Sequence, residues 1–247
     1  MISLKKNKHI NLKTPEFTCD LNPIGEHLNE YDMLKHFNNY GFKALIGNPG
    51  SGKTSLLISM LTGTGKNKVF KKCFNHVLLV MPKHSRESMK VNIFKKHHED
   101  KMYDTLNFES ITSIKAKLTA STAEKENTLL ILDDVGASLK NADIQKELCE
   151  IIFNRRHLKC MIIILVQNFT SMPLSIRKLF TNVIAFKPSK KEFEKLCEEL
   201  FEFHKDKALD IIKFVYREPH DYLVLNVDSQ KLYRFFDEVI LHNKDEE

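Results

Sequence analysis

A glycine-rich segment between two apolar stretches carries the clearest chemical signal in the chain. It reads Gly47-Asn48-Pro49-Gly50-Ser51-Gly52-Lys53-Thr54 and fits the phosphate-binding loop pattern at every defined position. Glycines allow backbone N–H groups to turn inward around phosphate oxygens, and a following helix adds the positive end of its dipole. In such loops the lysine reaches the β- and γ-phosphates and the threonine hydroxyl binds Mg²⁺. The segment therefore predicts a nucleoside triphosphate site.

The residues around this segment supply the context that the pattern requires. A strand over Phe42–Ile46 is predicted to enter the loop, and a helix over Ser55–Leu61 to leave it. ATP with Mg²⁺ is the expected ligand, because the chain has no guanine-specific Asn-Lys-x-Asp segment. We expect Lys53 to act in catalysis and Thr54 to bind the metal. The expected nucleotide contacts are Asn48, Pro49, Gly50, Ser51, Gly52, Lys53, Thr54 and Ser55.

Polar side chains also follow two later apolar strands. Asp133 and Asp134 come directly after Thr128–Leu132, and Gln167 closes Met161–Val166. Phosphoryl transfer needs a carboxylate for Mg²⁺ and a group that orients or deprotonates the attacking water. We assign Asp133 to the metal and Asp134 to the water. The Gln167 amide is predicted to contact the γ-phosphate or that water. Strand ends and helix N-caps carry such residues for structural reasons too, so the interpretation depends on their joint occurrence with the loop.

A basic segment, Asn154–His157, lies at the end of the helix predicted before the Gln167 strand. Arginine stays ionised and donates two parallel hydrogen bonds, so it suits the charge of a phosphoryl-transfer transition state. In ring ATPases such an arginine often reaches the site of a neighbouring subunit. Arg155, Arg156 and Arg177 are the candidates for this arginine finger. The structural alternative is that basic residues favour helix C-termini.

Unbroken apolar runs indicate the fold class. Apolarity that is continuous rather than alternating predicts strands covered on both faces, as in parallel sheets. Helical stretches separate these runs, so we predict a single α/β domain over residues 41–247 with a mostly parallel central sheet and helices on both faces. Residues 1–40, with Pro15 and Pro23, are predicted to form an N-terminal arm or cap. The runs are His76–Met81, Thr128–Leu132, Met161–Val166 and Val183–Phe186.

Composition excludes several classes of protein. The 247 residues are 42% hydrophobic and 28% charged, which is ordinary for a globular protein. The longest apolar run, Cys160–Val166, is too short to span a bilayer, and no apolar core of a signal peptide follows Met1. Five scattered cysteines without a CxxC pair indicate reduced thiols. We therefore expect a soluble protein that is not secreted and has no membrane-spanning segment.

The net charge of +6 is concentrated in two basic clusters. Either cluster has the charge to follow a phosphate backbone. A solvated face is the simpler explanation for each one alone, so charge by itself does not establish nucleic-acid binding. The first cluster is Lys66, Lys68, Lys71 and Lys72, and the second is Lys83, His84, Arg86, Lys90, Lys95, Lys96, His97 and His98.

Taken in order, these features resemble the packaging ATPases of nucleocytoplasmic large DNA viruses, the poxvirus-type branch of the FtsK–HerA superfamily. The resemblance implies a RecA-like P-loop ATPase that forms a ring of five or six subunits and drives double-stranded DNA into a preformed capsid. It implies capsid or portal-vertex proteins as partners, and a location in the host cytoplasm or the virion. It also favours Arg156 over Arg155 as the finger. Besides the loop, the residues that carry it are Leu130–Val135, Asn154, Arg156, His157, Gln167 and Pro173–Arg177.

Two other functions fit parts of the same pattern. An assembly ATPase that switches partner binding without moving DNA would need the same loop and carboxylates. A nucleoside kinase fits less well, because such kinases usually carry an arginine-rich lid that is not evident here. Many superfamily members have Asp-Glu where this chain has Asp133-Asp134. The resemblance ends near Arg177, and residues 219–227 are predicted to form one more strand of unassigned role.

Overall fold

A computed structural model of the protein describes residues 24–37, 39–89 and 92–241. Most of the segment predicted as an N-terminal arm, and Lys90 of the second basic cluster, lie outside these ranges. A nine-stranded sheet runs through the described part. Its strands are β1 Phe42–Ile46, β2 His76–Val80, β3 Met102–Tyr103, β4 Thr128–Asp133, β5 Cys160–Val166, β6 Asn182–Phe186, β7 Tyr222–Asn226, β8 Lys231–Arg234 and β9 Asp237–Glu238.

The order of the strands decides which residues meet. Along the sheet it is β3-β2-β4-β5-β1-β6-β7-β8-β9. The first six strands in this order pair in parallel, and the last three add antiparallel pairs. This confirms the mostly parallel α/β sheet. Since β5 lies between β1 and β4, the residues that follow these three strands come together at one edge, where ligands of open α/β sheets bind.

Helices cover both faces of the sheet, as the sequence predicts. Successive β1 side chains point to opposite faces, so Ala44 joins one apolar core and Leu45 the other. The first core includes buried residues of α4, α5, α6, α7 and α8, and the second includes those of α1 and α2. The helices are α1 Asp32–Lys35, α2 Lys53–Thr62, α3 Lys83–Glu87, α4 Phe108–Ala123, α5 Ala142–Asn154, α6 Leu174–Arg177, α7 Lys190–Phe201 and α8 Lys205–Val215.

The segment just before β1 packs against the second core. Leu28, Met33, Leu34 and Phe37 are buried there, and the Tyr233 hydroxyl of β8 donates a 2.8 Å hydrogen bond to Asp32. Residues 24–37 therefore contribute apolar side chains to the core of the domain. The domain boundary near residue 40 stays a prediction.

The C-terminal strands return to the edge of the sheet that carries the glycine-rich loop. β7 runs antiparallel to β6, with Tyr222 opposite Phe186, so residues 217–221 lie where β6 ends. The strand predicted over 219–227 is present as β7, whereas β8 and β9 were not predicted. No helix in the described residues is long and apolar enough to cross a bilayer.

Candidate nucleotide site

The glycine-rich segment forms a tight loop between β1 and α2. It begins where the Gly47 N–H donates to Val166 O at 3.2 Å, and the Ser51 N–H closes a turn on Asn48 O at 3.1 Å. Gly50 and Gly52 have φ angles of 76° and 106°, in the region that glycine adopts without steric cost. Gly52 is the N-cap of α2, so the helix predicted over Ser55–Leu61 is present and begins two residues earlier, at Lys53.

The Lys53 side chain lies folded over the loop. Its ammonium donates to the carbonyl oxygens of Gly47, at 2.5 Å, and of Asn48, at 3.0 Å. Burial lowers the pKa of Lys53, and the nearby Asp133 carboxylate opposes that effect. Both of these acceptors are neutral carbonyl oxygens. Phosphate oxygens are charged and accept stronger hydrogen bonds from an ammonium group, so they compete well for Lys53.

A single open cleft of about 630 Å³ joins the predicted functional residues. The phosphate-binding loop forms one wall, and the residues that follow β4 and β5 form another. Asn48, Ser51, Gly52 and Ser55 belong to the loop and the helix start but do not line this cleft. The predicted residues that do line it are Pro49, Gly50, Lys53, Thr54, Asp133, Asp134 and Gln167.

The environment of Asp133 suits a divalent cation. Burial, together with the adjacent Asp134 charge, raises the pKa of Asp133 to about 6. Among the described residues no basic side chain forms an ion pair with it, while the Thr54 hydroxyl lines the same cleft. Hydroxyl and carboxylate oxygens are the ligands that Mg²⁺ prefers, so this pair of residues fits the metal.

Asp134 and Gln167 line the cleft at the ends of two strands. Asp134 directly follows β4 with a φ of 55°, a left-handed conformation that is uncommon outside glycine, asparagine and aspartate. Gln167 directly follows β5, the strand between the loop strand and the Asp133 strand. Both side chains are exposed. Their roles at the attacking water stay predictions.

Comparison with known protein families decides the relationship. The family model described as Poxvirus A32 protein matches residues 29–233, most of the chain. The chain belongs to the poxvirus A32 protein family. This confirms the resemblance to poxvirus-type packaging ATPases, and with it the assignment to ATPases of viral genome packaging. The match also extends beyond Arg177, where the resemblance recognised from the sequence ended.

Solved structures agree with this fold. The genome packaging NTPase B204 of Sulfolobus turreted icosahedral virus 2 was solved with ATP-gammaS. It is 16% identical, with a TM-score of 0.57 over 78% of this chain and 95% of that chain. The structure of its complex with AMP is also 16% identical in sequence, with a TM-score of 0.55 over 81% of this chain and 98% of that chain. The cytoplasmic domain of the Type VII secretion ATPase EccC of Thermomonospora curvata is 13% identical in sequence, with a TM-score of 0.51. The match covers 81% of this chain and 24% of that chain. A search of curated proteins found no significant match.

The three candidate arginines of this family member lie in different environments. Arg156 is exposed in the turn between α5 and β5, at the edge of the sheet opposite Gln167. The seven residues of β5 separate the two edges by roughly 20 Å. Arg155 is partly buried and donates to Ile152 O at 2.9 Å, and burial lowers its pKa. No arginine lines the cleft in the part of the chain that the structure describes.

Arg177 is held inside its own subunit. Its guanidinium forms a 2.9 Å ion pair with Glu199 of α7, and both side chains are only 11% exposed. It also lies 5.0 Å from the centre of the Phe169 ring and donates to Thr170 O. These contacts hold Arg177 within its own subunit, as expected for a structural arginine and not for one that reaches a neighbouring subunit.

The basic clusters divide between the two edges of the sheet. Arg86 of the second cluster is structural, since it donates to Met81 O and forms a 2.6 Å ion pair with Asp104. Lys83 and His84 are exposed on α3, which follows the carboxyl end of β2. At the opposite edge, Lys72 of the first cluster and His97 of the second line one hollow of about 190 Å³. The second cluster is therefore divided between the two edges, and its His97 lies beside Lys72 of the first cluster.

Sequence reasoning missed one residue beside the loop. The ring Nδ1 of His220 lies 3.0 Å from the Ser51 carbonyl oxygen. The two residues are 169 positions apart, and the contact depends on the antiparallel return of β7. No local pattern around His220 predicts it.

Proposed function

We propose that this protein hydrolyses ATP with Mg²⁺ and uses the reaction to move double-stranded viral DNA into a preformed capsid. One observation supports the chemistry above all others. A loop lysine, a hydroxyl, two carboxylates and an amide, carried by three separate strand ends, line one cleft. The family membership supports the genome-packaging role. Such a protein would act at the site of virus assembly in the host cytoplasm, or in the virion.

Each cleft residue has a distinct part in this proposal. Lys53 and the N–H groups of the loop bind the β- and γ-phosphates. Thr54 and Asp133 hold Mg²⁺, which neutralises charge on the phosphate oxygens when bound. Asp134 orients or deprotonates the attacking water, and Gln167 contacts that water or the γ-phosphate. No step requires a covalent intermediate, because positioning and electrostatic stabilisation supply most of the catalysis of phosphoryl transfer.

The position of Arg156 supports a shared active site. It lies at the edge of the sheet away from its own cleft, so it can reach a γ-phosphate only in another subunit. In the proposal Arg156 enters the cleft of the next subunit in a ring of five or six. Release of phosphate then changes the contact between subunits, and exposed basic residues transmit the change to the DNA. Such contacts go mainly to phosphates, so gripping is independent of sequence and weakens with salt.

Mixing two inactive variants tests the shared site. Lys53→Ala removes the loop lysine and Arg156→Ala the finger, so each homogeneous preparation should lose hydrolysis, for Arg156→Ala by about 10³-fold. A mixture should regain part of the activity, because an intact loop of one subunit meets an intact arginine of its neighbour. Lys146→Ala, at an exposed lysine of α5, is the matched control and should hydrolyse ATP normally.

Two results would contradict the proposal. If Arg156→Ala hydrolyses ATP as fast as the unsubstituted protein, Arg156 is not the finger. If the mixture stays inactive although both variants fold and associate, no site is shared between subunits. Hydrolysis that proceeds normally without any response to duplex DNA would instead indicate an assembly ATPase.

A further inference from the structure

The tip of the phosphate-binding loop is tied to the C-terminal part of the chain by one side chain. Other hydrogen bonds to the backbone of residues 47–52 come from the loop itself, from Lys53 or from neighbouring backbone. Within the described residues, His220 is the one side chain from a distant part of the sequence that binds this backbone, at Ser51 O. Ser51 lies between Gly50 and Gly52, which both have positive φ. Because glycine has no Cβ, these neighbours do little to fix the orientation of the peptide groups on either side of Ser51.

This contact fixes the orientation of a peptide group that faces the nucleotide. The Ser51 carbonyl and the Gly52 N–H belong to one planar trans peptide, so they point in opposite directions. His220 does not line the cleft, so a Ser51 carbonyl held against it is directed away from the cleft and the Gly52 N–H toward the concave side of the loop. Phosphate-binding loops hold their ligand with N–H groups on that side. A free carbonyl could rotate inward and repel phosphate oxygens.

The turn that carries His220 is built to hold it in place. His220 has a φ of 68°, a conformation that few non-glycine residues adopt. Asp221, only 5% exposed, accepts 2.9 Å hydrogen bonds from the N–H groups of Arg217 and Glu218, and Arg234 donates to it at 3.1 Å. The next residue, Tyr222, begins β7 and pairs with Phe186. The strained backbone of His220 is thus supported on its C-terminal side by a buried carboxylate whose Oδ2 accepts three hydrogen bonds.

We propose that His220 is a positioning residue of the nucleotide site, which raises affinity for polyphosphate by holding the Ser51–Gly52 peptide in its phosphate-binding orientation. The inference rests on the proposed function, because it assigns a part in the same ATP site. The Nδ1–H of His220 donates to Ser51 O, while Nε2 makes no hydrogen bond in the described part of the chain. The effect is therefore exerted on the loop and not on the nucleoside.

Two substitutions at this position separate the hydrogen bond from the backbone. His220→Asn keeps a donor, because Asn Nδ2 sits where His Nδ1 does, and asparagine tolerates positive φ. His220→Gly removes the donor and also relieves the backbone strain, so the variant should fold. His204→Ala, at the exposed N-cap of α8, is the control. Affinity is measured with a fluorescent ATP analogue, and by its displacement with ATP and with inorganic tripolyphosphate.

The glycine variant should weaken ATP and tripolyphosphate equally, by about five- to tenfold, as expected for loss of one hydrogen bond. The asparagine and control variants should bind both as the unsubstituted protein does. KM for ATP should rise in the glycine variant while kcat stays close to normal. Unchanged affinity in the glycine variant would overturn the inference, and so would weakening of ATP alone, or an asparagine variant as weak as glycine. If the unsubstituted protein itself binds neither probe, the ATPase proposal fails first.

Discussion

A buried lysine in β1 gives a stability prediction whose size follows from the structure. Lys43 is 1% exposed and lies among apolar side chains, 4.9 Å above the Phe37 ring. Its ammonium reaches the side-chain oxygens of Asn182, at 3.1 Å, and Asn39, at 3.3 Å. Burial lowers the pKa of Lys43 from 10.5 to about 7, against the opposing attraction of Asp228. We predict that Lys43→Met stabilises the protein, and more at pH 7.5 than at pH 9.5.

The direction and size follow from proton binding. Well above pH 10.5 the lysine is neutral in both the folded and the unfolded protein, so its charge does not affect the free energy of unfolding. As pH falls toward 7, the unfolded chain takes up the proton and the folded protein does not, so the free energy of unfolding decreases. The full difference is about 5 kcal/mol. Between pH 9.5 and 7.5 it amounts to about 2.5 kcal/mol, which methionine abolishes. The Asn39 oxygen loses its lysine donor at a cost of about 1 kcal/mol at any pH, whereas the Asn182 oxygen keeps a 3.0 Å hydrogen bond from the Thr181 hydroxyl.

Urea unfolding at several pH values measures this term. The difference in free energy of unfolding between Lys43→Met and the unsubstituted protein should shrink by about 2.5 kcal/mol from pH 7.5 to pH 9.5. Other titrating groups are common to both proteins and cancel. Lys213→Met, at an exposed lysine of α8, should show no such dependence. Parallel pH profiles for Lys43→Met and the unsubstituted protein would refute the reasoning, since they would mean that Lys43 is protonated in the folded state.

Two further predictions concern residues at the site and beside it. Arg177→Ala should lower the free energy of unfolding by about 3 kcal/mol, because it leaves the buried Glu199 with only the longer 3.6 Å ion pair to the exposed Lys195. Arg177→Leu combined with Glu199→Leu should recover most of that loss, and full stability in the single variant would contradict the structural role. Gln167→Ala should reduce kcat by about 10²-fold while the Kd for ATP stays normal, since the amide acts on the water or the transferring phosphate. A raised Kd with normal kcat would assign Gln167 to binding instead.

The local part of the site could be read from the sequence. The loop, the strand before it and the helix after it are encoded within about twenty neighbouring residues. β4 and β5 are unbroken apolar runs that end at Asp133 and just before Gln167. A buried parallel strand needs apolar side chains on both faces, so its pattern is unambiguous. The rule that ligands bind at carboxyl ends of parallel strands then brings these groups together without knowledge of the fold.

Contacts between distant segments could not be read in the same way. Lys43 interrupts an apolar strand, and its buried hydrogen-bond acceptor is the side-chain oxygen of Asn182, 139 residues later. Arg177 was a candidate finger because the sequence does not show its ion pair with Glu199, which depends on how α7 packs. His220 reaches Ser51 through the antiparallel return of β7, which the apolar pattern of this short, mostly buried strand does not reveal. Each of these side chains is polar, so its place depends on specific partners that lie far away in the sequence.

The most direct test of the central claim is steady-state ATP hydrolysis with and without long duplex DNA, over a range of protein concentrations. The account predicts that DNA stimulates hydrolysis, that stimulation falls steeply as salt rises, and that activity per subunit increases with concentration as rings form. Lys53→Ala should be inactive throughout. Hydrolysis that is the same with and without DNA, and the same per subunit at every concentration, would contradict a DNA motor with shared sites.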